Sequence, residues 1–292
     1  MTEISRLIRY DGEFLGYLNC LFENMAARSP LPIAINGLTS AAQRAFLCES
    51  VREAYERVKS PVLLLAGSEE EARQITDLLS ADGIRAGRFP ARDFVFHNVG
   101  ASHDVERERL SVLSDIRRGA LCAVVTTPTA ALGYTIPRAR LDKTALTLEV
   151  GAEISPIELA DRLTALGFVY SDGVEGRGQF SRRGGILDFF GDGEYPVRIE
   201  FFGDEIDRMV YFDPITQRAT DACTKIELLP AVEVTVDRAA REAILTICEA
   251  LLRRAKDDVV RQRLQSEEAT VKAGLPVDFR DKYLGVIYPE RE

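Results

Sequence analysis

Residues 37–44 lie between a short apolar run and a predicted helix, where a nucleotide-binding domain would carry its phosphate loop. A working loop has the form G-x-x-x-x-G-K-[ST]. Its glycines let backbone N–H groups surround the phosphates, its lysine reaches the β and γ phosphates, and its hydroxyl holds magnesium. Here Ala42, Gln43 and Arg44 replace the second glycine, the lysine and the hydroxyl residue. We therefore expect no nucleotide hydrolysis. The alternative interpretation is an ordinary strand-to-helix turn in which Gly37 supplies backbone freedom.

A second group of candidate residues lies in a strand predicted over 196–202. Strand alternation places Val197 and its apolar neighbours on a core face and Arg198, Glu200 and Phe202 on the other face. An aromatic ring flanked by charges is typical of a protein interface, where a buried ring and a bidentate arginine dominate binding. Alternatively, Phe202 turns inward to fill a small core and Arg198 pairs with Glu200 or another neighbour.

Three further arginines, Arg177, Arg182 and Arg183, cluster close to Phe180 and among several acidic residues. The ordinary interpretation of such a cluster is a solvated strand edge with weak salt bridges. As a functional feature, it fits an acidic protein partner better than it fits DNA.

Cysteine and histidine give no metal-binding pattern. The five cysteines are scattered without a C-x-x-C pair, and His97 and His103 lie six residues apart without a neighbouring ligand motif. We expect buried free thiols, no metal, no cofactor and no catalytic triad.

The first half of the chain alternates apolar runs with helical segments, which is typical of a parallel sheet with crossover helices. The helices are expected to begin near Ser40, to span about 69–81 and to span about 103–117, where Leu110, Leu113 and Ile116 should face inward. The predicted strands are 33–35, 62–66, 84–89 and 121–126.

The second half begins with a helix capped at Ser155 and continues from 168 to 229 with short, glycine-punctuated strands, which predict an antiparallel sheet. One long helix is then predicted over about 237–265. Its expected apolar stripe consists of Ala243, Ile247, Ala250 and Leu251.

Composition limits the function classes. The chain has 292 residues, 46% hydrophobic and 28% charged, which predicts an ordinary globular protein with about two domains. Its 37 basic and 46 acidic residues give a net charge of −9, which disfavours non-specific nucleic-acid binding. No apolar run approaches the roughly 18 residues of a membrane span. We expect a cytoplasmic monomer.

Three long motifs make the sequence recognisable: GQFSRRGGILDFF at 178–190, PVRIEFFGDEID at 196–207 and FDPITQR at 212–218. They resemble the module shared by UvrB and the transcription-repair coupling factor family, and the resemblance covers roughly residues 30–235. UvrB has a working phosphate loop and a tyrosine-rich hairpin, whereas this loop is degenerate and residues 94–105 contain no tyrosine. The chain is therefore more similar to the coupling factors, and we expect it to be an N-terminal piece of a longer protein.

The resemblance implies an α/β fold in which a split RecA-like domain, of the P-loop NTPase type but degenerate, carries an inserted α+β domain with an antiparallel sheet, as in UvrB. The implied limits are 1–150 for the RecA-like part, 151–230 for the inserted UvrA-binding domain and 231–292 for a truncated helical return segment.

The resemblance also implies a function, namely recruitment of the repair protein UvrA without catalysis by this part of the chain. The family's UvrA contacts correspond here to Arg183, Arg198 and Phe202. Further candidates for UvrA binding are Arg177, Phe180 and Arg182. RNA polymerase and DNA would be contacted only through domains beyond this region. The alternatives are a nucleotide-hydrolysing module and a damaged-DNA-binding module like UvrB.

Overall fold

The structure is a computed structural model that describes residues 6–27, 30–92, 103–274, 277 and 280–288. The described residues form two compact units. The first contains residues up to Ala91 together with Val112–Leu132, and the second contains Arg92–Ser111 and the chain from Gly133 onward. The predicted limits 1–150, 151–230 and 231–292 stay a prediction.

Short 3-10 turns at Arg6–Tyr10 and Arg280–Tyr283 flank the regular elements. In chain order these elements are α1 (Gly12–Ala26), α2 (Ser40–Val58), β1 (Val62–Leu65), α3 (Glu69–Ala81), β2 (Ala86–Phe89), α4 (His103–Arg117), β3 (Ala123–Thr126), α5 (Pro128–Ala131), α6 (Arg138–Thr144), β4 (Leu146–Glu149), α7 (Pro156–Ala165), β5 (Val169–Tyr170), β6 (Gln179–Arg183), β7 (Ile186–Phe189), β8 (Val197–Phe202), β9 (Glu205–Phe212), β10 (Ala219–Cys223), β11 (Lys225–Leu228), α8 (Arg238–Arg254), α9 (Asp258–Lys272) and α10 (Leu284–Ile287).

The first unit is built on a parallel sheet of three strands in the order β1-β3-β2. Ala123 of β3 lies opposite both Val62 and Ala86, so β3 is the central strand. Its core joins the sheet to α2 and α3 through Cys48, Val51, Ala66, Ala72, Leu79, Ile84, Ala123 and Val125. The predicted parallel sheet is confirmed for these three strands, and α3 has the predicted bounds.

The prediction of a strand over residues 33–35 is wrong. Residues 31–39 are described and contain no strand, and Ile35 is exposed. A strand requires a neighbour that satisfies its N–H and C=O groups, and apolar β-branched residues alone do not supply one. Gly37 therefore follows an irregular segment rather than a strand, and its φ of 81° requires glycine's backbone freedom.

Helix α4 has the predicted bounds, but its apolar face differs from the prediction. Leu110 is buried and Leu113 is partly buried, whereas Ile116 is exposed. Val112 is buried instead and packs with Leu121, Val124 and Phe89 of the first unit. The expectation that Ile116 faces inward is therefore wrong.

The second unit contains a six-stranded sheet in the order β10-β9-β8-β7-β6-β5. All neighbouring pairs are antiparallel except β5 and β6, and β11 pairs with β4 in a separate two-stranded sheet. Helix α7 begins as predicted, because the Ser155 hydroxyl accepts a hydrogen bond from the N–H of Glu158. Its Leu159 and Leu163 enter the core beside Leu187, Phe189 and Ile199 of the sheet.

The single long helix predicted over 237–265 is wrong, because two helices, α8 and α9, occupy this region. The chain is interrupted at 255–257, where the Asp257 carboxylate accepts from the N–H groups of Val259 and Val260 and starts a new helix. The stripe is also shifted. The residues that α8 buries completely are Ala240, Ile244 and Cys248, and Leu251 is exposed.

A buried ionic network fixes the segment after β11 within the second unit. Both carboxylate oxygens of Glu233 accept from Arg109, at 2.8 and 3.2 Å, and Arg92 lies 2.6 Å away. The Glu233 N–H donates to Glu106 and its carbonyl accepts from Tyr288. Burial opposes ionisation of Glu233, but the Arg109 hydrogen bonds and the Arg92 charge outweigh it, so the pKa of Glu233 is lowered.

The cysteines are free, as expected, but not all are buried. Cys48 and Cys248 are buried, Cys122 and Cys223 are half-buried, and Cys20 is exposed, so the expectation of a buried thiol is wrong for Cys20. Burial raises the pKa of Cys48 to about 11. Within the described part of the chain, no helix is long and apolar enough to cross a bilayer.

Candidate protein-binding face of the antiparallel sheet

The register of β6 to β9 forms one continuous row of side chains on the outer face of the six-stranded sheet. Arg183 lies opposite Ile186, Ile186 opposite Glu200, and Glu200 opposite Arg208. Residues directly opposite each other on neighbouring strands project to the same face. Phe202 follows Glu200 by two residues and joins this face at the end of β8. We call these five residues the outer row.

The tight β6–β7 turn brings the members of the outer row together. Gly184 adopts a φ of 61°, and the carbonyl of Gly185 accepts from the N–H of Phe201 on β8. The turn therefore fixes Arg183 and Ile186 as neighbours and joins both to β8. A one-residue slip would exchange the two faces of each strand.

Phe202 is strongly exposed, with 81% of its surface accessible. The alternative in which its ring turns inward is therefore wrong. Its strand partner is Glu205, so an acidic side chain lies beside the ring. An exposed phenylalanine on the same face as exposed Ile186 and Arg183 is the type of residue that anchors a protein partner.

Arg183 is also exposed, and one of its nitrogens donates to the Asp172 carbonyl at 3.2 Å. This single exposed hydrogen bond leaves other guanidinium donors accessible, since arginine has five. Ile186 is 41% exposed between Arg183 and Glu200 and provides an aliphatic centre to the row. We did not identify Ile186 from the sequence, although strand alternation combined with the Gly184–Gly185 turn could have found it.

Arg198 lies on the same face but forms a largely buried ion pair with a neighbouring strand. Its Nε and one terminal nitrogen donate to the two carboxylate oxygens of Asp188, at 2.8 and 2.9 Å. Its guanidinium carbon lies 4.7 Å from the centre of the Phe212 ring. The hydrogen bond to Asp188 raises the pKa of Arg198 against the effect of burial. Arg198 thus pairs with a neighbour, but the partner is the buried Asp188 rather than Glu200.

The remaining candidates are separate from the outer row. Phe180 is 4% exposed and packs in the core opposite Phe189, so it presents no surface to a partner. Arg182 lies opposite core residue Leu187, on the other face from Arg183. Arg177 is exposed with its guanidinium over the Phe190 ring, 5.6 Å from the centroid. The structure therefore groups Arg183, Arg198 and Phe202 on one face and separates Phe180 and Arg182 from them.

The residues predicted to form a degenerate phosphate loop lie before and within the first turn of α2. Thr39 caps the helix by accepting from the N–H of Ala42, and the Gln43 amide donates to the Leu38 carbonyl. The Gln43 side chain therefore bonds to the backbone just before the helix. Arg44 follows it in the first turn of α2 and is exposed. These contacts stabilise the start of the helix.

Among the residues that the structure describes, no group of three or more acidic, histidine or cysteine side chains could hold a metal ion. His97 lies outside the described residues, and nothing is described of the His103 side chain.

Comparison with known proteins relates part of the chain to a known domain family. Residues 146–233 match the family of UvrB interaction domains, a segment that runs from the start of β4 to Glu233 and includes the whole outer row. The chain is 28% identical to the transcription-repair-coupling factor of Bacillus subtilis (strain 168), over 99% of this chain and 25% of that protein. It is 31% identical to the coupling factor of Myxococcus xanthus, over 75% of this chain and 19% of that protein. The predicted resemblance to transcription-repair-coupling factors is confirmed.

The resemblance extends to UvrB itself. UvrABC system protein B of Kosmotoga olearia is 30% identical over 58% of this chain and 26% of that protein. The chain thus spans about a quarter or less of the length of the transcription-repair-coupling factors named here. The predicted inserted domain, 151–230, lies within the segment that matches the UvrB interaction domain.

Proposed function

We propose that this chain is the UvrA-recruiting adaptor module of a transcription-repair coupling factor. The observation that carries the proposal is the outer row, in which exposed Phe202, Ile186 and Arg183 lie together within the matched UvrB interaction domain. Recruitment would link stalled RNA polymerase to nucleotide excision repair. RNA polymerase and DNA contacts would belong to other domains of a longer protein.

The chemistry of the outer row supports an acidic protein partner. A phenylalanine and an isoleucine supply an apolar centre, and Arg183 supplies donors that match a carboxylate in bidentate geometry. If the partner buries Arg183, its truncation should cost about 2 kcal/mol or more of binding free energy, and well under 1 kcal/mol if Arg183 lies on the rim. The net charge of −9 opposes DNA as the partner of this face.

We further propose that residues 1–150 are a degenerate RecA-like domain without ATP hydrolysis, with 231–292 as its return segment. Support comes from Gln43 and Arg44, which replace the groups that would bind the terminal phosphates and magnesium. On this view the module acts in the cytoplasm as a monomer, without a cofactor.

A UvrB-like hydrolase is the second candidate, and the similarity to UvrABC system protein B favours it. Measurement of phosphate release from ATP by the purified chain, with and without DNA, separates the two. Turnover above the buffer background would refute the adaptor without hydrolysis, and no turnover is expected.

Calorimetric titration of the chain with UvrA tests recruitment. We expect micromolar or tighter binding, weakened about tenfold or more by Arg183→Ala and by Phe202→Ala. Arg182→Ala is the matched control for Arg183→Ala, because Arg182 is the adjacent exposed arginine on the other face. Ile215→Ala removes an exposed side chain of the same domain and should leave binding unchanged.

Two results would contradict the assignment of this face. In the first, a folded wild-type chain does not bind UvrA. In the second, Arg183→Ala and Phe202→Ala bind with wild-type affinity.

A further inference from the structure

A groove lies at the closed end of the α8–α9 hairpin, far along the chain from the outer row. It has a volume of about 460 Å³ and is bounded by the end of α8, the first turns of α9 and Lys282 of the last 3-10 turn. This size falls within the roughly 300–1,000 Å³ typical of ligand-binding clefts. Leu264 is buried at the groove, whereas Leu251 and Val260 are 41% and 50% exposed.

The rim of the groove is positively charged. It carries Arg254, Arg263 and Lys282. Arg263 and Lys282 share one carboxylate, that of Glu267, at 3.4 and 2.7 Å. The side chain of Arg254 is exposed and has no ion-pair partner within the described part of the chain. The described residues that line the groove include three cations and no carboxylate, so the lining itself is positively charged on a protein whose net charge is −9.

We propose that this groove binds an acidic amphipathic helix of a partner protein. Exposed leucine and valine side chains beside a buried leucine form the type of surface that receives the apolar face of a helix. The basic rim is complementary to carboxylates on the flanks of such a helix and disfavours a basic one. The described residues that line the groove are aliphatic or basic, and none of them offers an aromatic ring on which a nucleic-acid base could stack.

Fluorescence anisotropy with a designed peptide tests this inference on the full chain. The probe is a fluorescein-labelled helical peptide with leucine at i, i+3, i+4 and i+7 and glutamate on both flanks. A second peptide carries lysine in place of every glutamate. We expect the acidic peptide to bind at least about tenfold more tightly than the basic one, with an affinity that falls as salt is added.

Two pairs of variants locate the site. Leu251→Asp and Arg254→Glu should each weaken binding of the acidic peptide by about tenfold. Ile215→Asp and Arg253→Glu are the matched controls, because Ile215 is an exposed aliphatic residue elsewhere in the unit and Arg253 is the exposed neighbour of Arg254 that does not line the groove. Both controls should bind as the wild-type chain does, and circular dichroism establishes that all four are folded.

The proposal is overturned if the two peptides bind equally, if neither binds at millimolar concentration, or if the groove variants and their controls behave alike. Displacement of the peptide by a single-stranded oligonucleotide, or loss of binding because the chain associates with itself through the groove, would also overturn it. None of these results depends on UvrA, so the groove and the outer row can fail separately.

Discussion

Replacement of Arg198 by alanine is predicted to destabilise the antiparallel sheet before it affects any partner. Both carboxylate oxygens of Asp188 accept hydrogen bonds from Arg198, and the Asp188 side chain is only 4% exposed. Removal of one partner from a buried ion pair costs about 3–5 kcal/mol, because the other charge remains buried without compensation. The Arg198 side chain is 23% exposed, so water can partly replace it, and we expect a loss near the lower limit, about 3 kcal/mol.

Urea unfolding followed by far-ultraviolet circular dichroism measures this loss. Arg183→Ala is the matched control, because it removes an exposed arginine from the same face, and its free energy of unfolding should change by less than about 0.5 kcal/mol. The double variant Asp188→Ala/Arg198→Ala should be less destabilised than the sum of the two single variants, by about 2 kcal/mol. Arg198→Lys should recover part of the loss, since it keeps the charge without the bidentate geometry.

Replacement of Arg183 and replacement of Arg198 should also affect binding to UvrA in different ways. Arg183→Ala is expected to lose affinity at unchanged stability, whereas loss of binding by Arg198→Ala should follow loss of the folded face. The reasoning is refuted if Arg198→Ala unfolds like the wild-type chain, or if the effects of Asp188→Ala and Arg198→Ala add.

Three further predictions concern Glu233, Gly167 and the reactivity of the cysteines. Because the folded pKa of Glu233 lies below its unfolded value of 4.5, its contribution to stability is present above pH 4.5 and is lost as the pH falls through the folded pKa. Glu233→Gln should therefore cost about 3 kcal/mol at neutral pH and flatten the acid limb of a stability–pH curve. Gly167→Ala should cost about 3 kcal/mol in urea unfolding, because φ is 86° and the new Cβ would lie 2.3 Å from Val232; an unchanged midpoint would contradict this. Iodoacetamide followed by mass spectrometry should modify exposed Cys20 well before Cys48, whose burial raises its pKa to about 11.

Local signals predicted much of the fold. The bounds of α3 and the start of α7 follow from capping serines and periodic leucines, which act within a few residues. The strand at 33–35 could not be predicted reliably, because a strand also depends on a neighbour distant in the chain. The break between α8 and α9 has a local signal, because Asp257 is a capping residue. The helical pattern on both sides of Asp257 led to the prediction of one continuous helix.

The candidate site was predictable in composition but not in the role of each residue. Alternation identified Phe202 and Arg198 as neighbours on one face, and the structure has both there. Whether each arginine is accessible depends on cross-strand register and on buried acids, which single-sequence patterns do not reveal. Arg109 and Glu233 illustrate the same point, because 124 residues separate the two charges that meet in the core.

Burial of charge also explains how an acidic protein can present basic sites. Many carboxylates of this chain neutralise nearby cations, as Asp188 does for Arg198 and Glu233 does for Arg109. Arg183 and Arg254, in contrast, are exposed without a carboxylate partner among the described residues. The long-range field of the chain therefore repels nucleic acid, while each exposed arginine, beside apolar side chains, attracts a carboxylate at short range. Such a combination favours a protein partner over DNA at Arg183 and at Arg254.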